Sequence, residues 1–256
     1  MIDEMELLHT LRVPADSHVV ASFIVGSHAH GTNIAPDLPF GTDDTDIMTI
    51  VVPPPHLCLG IDCWEHLQSW VGDNDVVVYS LRKLLGLMAK SNPNVLMLLN
   101  MPPDCVRVSS DLWRDVVDAR EAFLSKDAWG SFAGYANSQL AKMEGSAFKG
   151  YMGEKRKAIV KEVGFDTKNA AHLIRLLRMC CDLFETGQLV VRRPDADDLR
   201  AIKTGRRSLD SVREEAADLF ARSKDAMKRS GLPEHVDREH IGRLCSRLHL
   251  KLWGAA

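Results

Sequence analysis

Short apolar runs separated by turn residues occupy the first hundred residues, and this pattern is typical of a mixed α/β region. Each run is four to eight residues long and rich in β-branched side chains, as buried strands are. The predicted strands are 19–25, 46–52 and 75–79. Gly26 ends the first run, and the prolines at 53–55 end the second. An amphipathic stretch at 81–90 and an apolar one at 94–99, separated by Asn92-Pro93, predict two helices.

From about residue 110 the pattern changes to one of successive amphipathic helices. Asp166 or Thr167 is placed to cap one of them. The predicted helices are 111–124, 127–143, 152–162, 167–186, 195–203, 208–230 and 237–252. Because the loop at 101–104 separates the two patterns, we predict an α/β catalytic module at 1–108 and a helical bundle at 109–256.

Composition excludes several classes of protein. The 256 residues are 45% hydrophobic and 26% charged, which is ordinary for a globular chain, and the net charge of −3 does not favour coating nucleic acid by charge alone. The acidic N-terminus lacks an apolar run, and no stretch approaches the ~20 apolar residues of a membrane span, so we predict a cytoplasmic protein. The six cysteines lack the spacing of a zinc site or disulfide framework, so buried, reduced thiols are expected.

The strongest chemical signal is Gly26-Ser27 after the first strand and Asp44-Thr45-Asp46 at the start of the second. Side chains alternate along a strand, so Asp44 and Asp46 share one face. Two carboxylates ~4 Å apart repel by roughly 4 kcal/mol at an effective dielectric constant near 20, which favours a bound cation such as Mg²⁺. Gly26 permits a tight turn beside a phosphate, and Ser27 offers a hydroxyl and an N–H. Taken alone, the acidic segment has a solvated turn as its alternative interpretation, and Gly-Ser pairs such as Gly26-Ser27 are common in proteins.

A third carboxylate is expected in two-metal phosphoryl transfer, where it binds metal and accepts the proton of the acceptor hydroxyl. Asp75, at the start of the third strand, is the first candidate, and Asp73 is the reserve. The alternative interpretation is that Asp75 is only a polar residue at the start of the strand, with no catalytic role.

Cation-capable residues recur along the predicted helix at 167–186. Lys168, His172 and Arg175 fall at i, i+4 and i+7 on one face, near a helix N-terminus that favours anions. They form a candidate triphosphate clamp that would face the acids from the other module, and a solvated basic face is the alternative. His28 and His30 would point the same way on a strand, but no further ligand nearby completes a metal site.

The chain resembles the nucleotidyltransferases of the DNA polymerase β superfamily, in the branch associated with RNA repair pathways and also found in phages. The resemblance runs in consistent order over roughly residues 22–240. The segments that carry it are GSHAHGT, DDTDIM, DVVVYSLRKLL, NPNVLMLL, GYMGEKRK, GFDTKNAAHLIRLLRM and RRPDADDLRAIKTGRRSL. The Gly-Ser and Asp-x-Asp core is shared by the superfamily, whereas the DTKNAAHL run is specific to this branch.

The resemblance implies an α+β fold, with a polymerase β-like mixed-sheet module followed by a helical bundle. It implies transfer of a nucleoside monophosphate from a nucleoside triphosphate such as ATP, with Mg²⁺ or Mn²⁺, to an acceptor hydroxyl; a tRNA-like RNA 3′ end is the first choice. In a phage, the location would be the host cytoplasm. The residues implied are Gly26 and Ser27 at the triphosphate, Asp44, Asp46 and Asp75 at the metal, and Lys168, His172 and Arg175 at the nucleotide.

Two alternatives stay open. The stretch from Ser27 to Asp44 is longer than is usual in the superfamily, so Asp43 is an alternative ligand. A catalytically silent nucleotide- or RNA-binding protein, or an antitoxin or anti-defence protein on the same fold, is the alternative function.

Overall fold

A five-stranded mixed sheet is the centre of the N-terminal half of the chain. The computed structural model describes residues 3–38, 40–41, 44–144 and 154–254. The strands are β1 (His18–Ile24), β2 (Thr45–Val52), β3 (His66–Val71), β4 (Asn74–Ser80) and β5 (Val106–Ser109). Their order in the sheet is β3-β4-β2-β1-β5, with β2 and β4 parallel and the other neighbours antiparallel.

Helices account for most of the remaining described chain. The α-helices are α1 (Glu4–Thr10), α2 (Gly26–His30), α3 (Pro55–Leu59), α4 (Leu81–Met88), α5 (Pro93–Leu96), α6 (Asp111–Asp118), α7 (Asp127–Met143), α8 (Glu154–Val163), α9 (Thr167–Thr186), α10 (Ala196–Lys203), α11 (Leu209–Arg229) and α12 (Arg238–Trp253). Short 3₁₀ helices span Met97–Asn100, Pro103–Cys105 and Arg120–Phe123. The α+β class is therefore confirmed.

The long predicted elements agree closely with the structure. The bounds of α7 and α9 match exactly, and the three predicted strands match to within a residue or two. Residues 152 and 153, where the predicted helix 152–162 begins, lie outside the described residues. The sequence did not reveal the edge strands β3 and β5, or the helices α1, α2 and α3.

The chain divides into two compact units. Unit 1 contains residues 1–29, 44–124 and 236–256, and unit 2 contains residues 30–43 and 125–235. These ranges differ from the predicted 1–108 and 109–256 because the C-terminal helix α12 packs on α4 and α6 in unit 1.

In unit 1, α1 covers one face of the sheet. Leu7 and Leu8 of α1 and Leu11, which caps its C-terminal end, pack against buried aliphatic side chains of β2 and β4. On the other face the ring of Phe23 in β1 meets Trp113 in α6 edge-on, with centroids 5.2 Å apart. Burial on both faces fixes the register of β2, because a one-residue slip would bring polar side chains into the core.

In unit 2, α9 is the central helix, and α7, α10 and α11 pack around it. It begins at the predicted cap, where the Asp166 carboxylate accepts a hydrogen bond from the backbone N–H of Asn169. Arg178 of α9 pairs with Asp195, Asp198 and Glu215, so it links α9 to α10 and α11. Although burial opposes it, these hydrogen bonds raise the pKa of Arg178 above its ordinary value.

Two further sequence expectations concern membranes and cysteines. None of the described helices is long and apolar enough to cross a membrane. All six cysteines are free thiols, and four of them are buried, as expected. Burial raises the pKa of Cys181 and of Cys245 to about 11, so these thiols stay protonated near neutral pH.

Candidate functional site

The turn after β1 brings the backbone of Gly26 against the side chain of Asp46. The Val25 N–H donates to the Asp46 carbonyl at 2.8 Å, which holds the end of β1 beside the start of β2. Gly26 has φ +62°, and a Cβ there would overlap Oδ2 of Asp46. Glycine is therefore required both by the backbone conformation and by the nearby carboxylate. Ser27 follows in the first turn of α2 and is half-buried.

Asp46 and Asp75 lie side by side on neighbouring strands. They are register partners in the parallel pair of β2 and β4, so their side chains lie on one face of the sheet, with the strands ~4.8 Å apart. The Asp75 carboxylate accepts from the amide of Gln68 at 3.1 and 3.3 Å. Asp73, the reserve candidate, is exposed in the turn before β4, and its carbonyl accepts from the Thr45 N–H at 3.2 Å.

Asp44 immediately precedes β2 and carries an unsatisfied carboxylate oxygen. Its Oδ1 is buried and has no hydrogen-bond partner in the described part of the chain. A buried acceptor left without a partner costs about 1–3 kcal/mol, and more when it is charged. The free oxygen is therefore a position where a cation would stabilise the chain. Asp43, the alternative ligand, lies outside the described residues.

These acids fit a metal that is only partly enclosed by protein. Within residues 3–38, 40–41, 44–144 and 154–254, no three His, Cys, Asp or Glu side chains are arranged as a complete metal cage. Mg²⁺ does not need such a cage, because it keeps several waters and binds through one or two carboxylates and substrate phosphates. Asp44, through its buried Oδ1, and Asp46 are the residues that would hold such an ion.

In unit 2, α9 presents Lys168, His172 and Arg175 near one another, as its sequence spacing predicts. Lys168 is exposed, whereas His172 and Arg175 are half-buried, so the solvated-face alternative describes Lys168 alone. Burial, followed by the charges of Arg175 and Lys168, holds the pKa of His172 well below its ordinary value. Burial also lowers the pKa of Arg175 to about 10. In the described chain no carboxylate pairs with Arg175, so this face keeps its positive charge.

His30 anchors Arg175 without neutralising it, a contact that the sequence did not reveal. Arg175 Nη1 donates to His30 Nε2 at 2.6 Å, and His30 Nδ1 lies 3.0 Å from the Val191 carbonyl oxygen. The carbonyl can only accept and the guanidinium can only donate, so His30 is the neutral tautomer with its proton on Nδ1.

The strand geometry assumed for His28 and His30 is wrong, because both residues lie on α2. His30 is only 3% exposed, so its position is a packed one and does not face solvent. Burial, followed by the charge of Arg175, keeps its pKa well below the ordinary value.

We expect His30→Gln to reduce the loss of stability at mildly acidic pH. A histidine whose folded pKa lies below its unfolded value of about 6.5 binds fewer protons when folded, so stability falls as the pH drops below 6.5. The loss is up to about 1.4 kcal/mol per pH unit for each such histidine. Glutamine can still donate to Val191 and accept from Arg175, but it does not titrate. The measurement is the free energy of unfolding by denaturant at pH 7.5 and pH 5.5.

His18→Gln, at an exposed position on β1, is the matched control and should keep the wild-type difference between the two pH values. An equal difference in wild type and His30→Gln would contradict a neutral, buried His30.

Comparison with known proteins identifies the family. Residues 3–239 match the sequence model of the RNA repair pathway DNA polymerase beta family, so the chain belongs to this family of nucleotidyltransferase-like proteins. A 38.9 kDa protein of the nrdC-mobD intergenic region of Enterobacteria phage T4 is 32% identical over 135 residues. That match covers 48% of this chain and 38% of the phage protein.

Among solved structures, the nucleotidyltransferase-like protein from Exiguobacterium sibiricum is 9% identical over 88% of this chain and 73% of its own. Its TM-score of 0.29 is too low to support an inference.

Proposed function

We propose that this chain transfers a nucleoside monophosphate from a nucleoside triphosphate to an acceptor hydroxyl at an RNA 3′ end. The observation that carries the proposal is the pairing of Asp46 with Asp75, together with the unsatisfied oxygen of Asp44 two residues before Asp46 in the sequence. Carboxylates gathered in this way serve phosphoryl transfer in which divalent metal neutralises the developing charge. Membership of the family supports the same reaction class.

Each acid has a separate role in this proposal. Asp44 and Asp46 would hold Mg²⁺ or Mn²⁺, which when bound supplies charge stabilisation to the phosphates. Asp75, the register partner of Asp46, would accept the proton of the acceptor hydroxyl. Its hydrogen bond from Gln68 orients the carboxylate without adding a charge.

The remaining predicted residues would bind the triphosphate. Gly26 and Ser27 lie at the turn beside Asp46, where the absence of a Cβ lets the Asp46 carboxylate approach the Gly26 backbone. In unit 2, Lys168 and Arg175 offer positive charge that no carboxylate of the described residues pairs with, and His172, whose pKa is held well below its ordinary value, offers a neutral imidazole that can hydrogen-bond the nucleotide. Arg175 has a planar fork that suits phosphate oxygens, and Lys168 is a compact charge.

Metal dependence tests the proposal directly. The protein is incubated with each α-labelled nucleoside triphosphate and total RNA, and both labelled RNA and released pyrophosphate are measured. We expect transfer with Mg²⁺ or Mn²⁺ and none in excess EDTA, with recovery when metal is restored. Full activity in EDTA would overturn the metal assignment, and the absence of transfer with every triphosphate would favour a silent binding protein.

A further inference from the structure

In unit 1, the face of β3 and β4 opposite α1 is exposed to solvent, and it lies beside the proposed catalytic acids. On β3 and β4 the side chains of Leu67, Val71, Val76 and Val78 point into the core under α1. The alternate side chains therefore point to the opposite face, since successive residues of a strand face opposite ways. These open-face residues are His66, Gln68 and Trp70 on β3 and Asp75, Val77 and Tyr79 on β4. All six are exposed or half-exposed.

Trp70 is in register with the acids. It is the pairing partner of Asp75 across β3 and β4, and Asp75 is the partner of Asp46 across β4 and β2. Directly paired residues have side chains on the same face, so Trp70, Asp75 and Asp46 form one row across three strands. The indole is 61% exposed, which is unusual for a large apolar side chain.

A second aromatic platform lies further along the same strands. The rings of His66 and Tyr79, which are also pairing partners, are stacked with centroids 5.9 Å apart and planes 22° apart. Asp75 and Tyr79 are four positions apart, which is ~13 Å along an extended strand. Gln68 lies between the two platforms on β3; its Nε2 donates to Asp75, and its Oε1 can accept a hydrogen bond from a base edge.

We propose that this open face, formed by His66, Gln68, Trp70 and Tyr79, binds unpaired bases of a single-stranded RNA acceptor. Trp70 stacks on the base nearest to Asp75, and the His66–Tyr79 pair contacts a base further from the 3′ end. The link to catalysis rests on the proposed transfer to RNA, whereas the binding itself does not.

The arrangement fits RNA bases better than it fits other occupants. Aromatic side chains at alternate positions of neighbouring strands are the usual means by which exposed sheets stack on unpaired bases. The face continues directly into the acids, where an acceptor terminus must lie for its hydroxyl to react. Stacking also suits a chain with a net charge of −3, because it does not depend on neutralising many phosphates.

Binding of a labelled single-stranded RNA to the full chain, measured by fluorescence anisotropy without nucleoside triphosphate, tests the proposal. Stacking of one base on an aromatic side chain contributes roughly tenfold or more in affinity, so Trp70→Ala should weaken binding by about that factor. Trp70→Phe should restore part of it, since every aromatic ring offers a stacking face. His66→Ala should weaken binding less, because one ring of that platform remains.

Controls separate stacking from general effects. Leu59→Ala replaces an apolar residue that is 76% exposed but belongs to α3 and not to β3 or β4, and this variant should bind RNA as wild type does. Duplex RNA hides its bases, so its weaker binding should be unchanged by Trp70→Ala. Tm should be unchanged in all variants, because each replaced side chain is exposed.

The outcomes are distinguishable from those of the proposed function. Equal RNA affinity in wild type and Trp70→Ala would overturn the open-face proposal even if RNA is a good acceptor, as would failure of the wild type to bind single-stranded RNA. If Trp70→Ala loses RNA binding and the wild type shows no nucleotidyl transfer, the result would support RNA binding at the open face and contradict the proposed transferase activity.

Discussion

Asp46→Asn is expected to abolish nucleotidyl transfer while the protein stays folded. Asp46 lies beside Asp75 and against the Gly26 turn, so it stands at the centre of the proposed metal and phosphate site. Losing a charged metal ligand removes several kcal/mol of charge stabilisation, and ~4 kcal/mol corresponds to roughly a thousandfold in rate. Asparagine has nearly the same shape, so it should fit beside Gly26. The measurement is transfer of labelled nucleotide in saturating Mg²⁺.

Asp44→Asn should give the same loss of activity with a distinct stability signature. In the metal-free protein, neutralising a buried, unsatisfied carboxylate oxygen should leave Tm unchanged or raise it. Added Mg²⁺ or Mn²⁺ should raise the Tm of wild type, because a ligand that binds only the folded state stabilises it. The same addition should leave the Tm of Asp44→Asn and Asp46→Asn unchanged.

Asp62→Asn is the matched control, since Asp62 is an exposed acid elsewhere in unit 1 and the substitution changes the charge equally. Its activity and its Tm shift with metal should match those of wild type. Normal transfer by Asp46→Asn would exclude this pair of acids as the metal site.

Local signals account for the parts of the fold that the sequence predicted. The helix α9 combines a capping aspartate, Asp166, with a long apolar stripe, and both act over a few residues. Buried strands such as β2 are continuous apolar runs. The edge strand β3 is mostly exposed, so its sequence lacks the apolar signal, and β5 has only four residues.

The candidate site residues can be chosen from the sequence, but their geometry cannot. Alternation along one strand placed Asp44 and Asp46 together, whereas the register of Asp46 with Asp75 comes from the pairing of β2 with β4. The contact between His30 and Arg175 joins residues 145 positions apart, which no local pattern encodes. The row from Trp70 to the acids likewise depends on the strand order β3-β4-β2.

Asp75→Asn should separate proton transfer from nucleotide binding. Asparagine at 75 keeps an oxygen to accept the Gln68 hydrogen bond but cannot take a proton from the acceptor hydroxyl. General-base catalysis typically contributes 10²–10⁴-fold, so kcat should fall by about that factor. Affinity for the nucleoside triphosphate, measured separately by calorimetry, should stay within a few-fold of wild type.

Lys168→Ala should show the opposite division of effects. Lys168 is exposed on the cationic face of α9, so its proposed role is charge attraction to the triphosphate. The KM for nucleoside triphosphate should rise about tenfold, as expected for one charge-assisted hydrogen bond. The fall in kcat should be smaller and should reflect only the charge that grows on pyrophosphate in the transition state.

Asp73→Asn completes the comparison, because Asp73 carries the same charge two residues away but lies in an exposed turn. With Asp75 as the third acid, Asp73→Asn should show wild-type kcat and KM in the same steady-state assay. If Asp75→Asn turns over normally and Asp73→Asn does not, the proton acceptor is Asp73. In that case the pairing of Asp75 with Asp46 would have a structural role in the sheet and no role in proton transfer. If both variants turn over normally, no acid at the start of β4 accepts the proton.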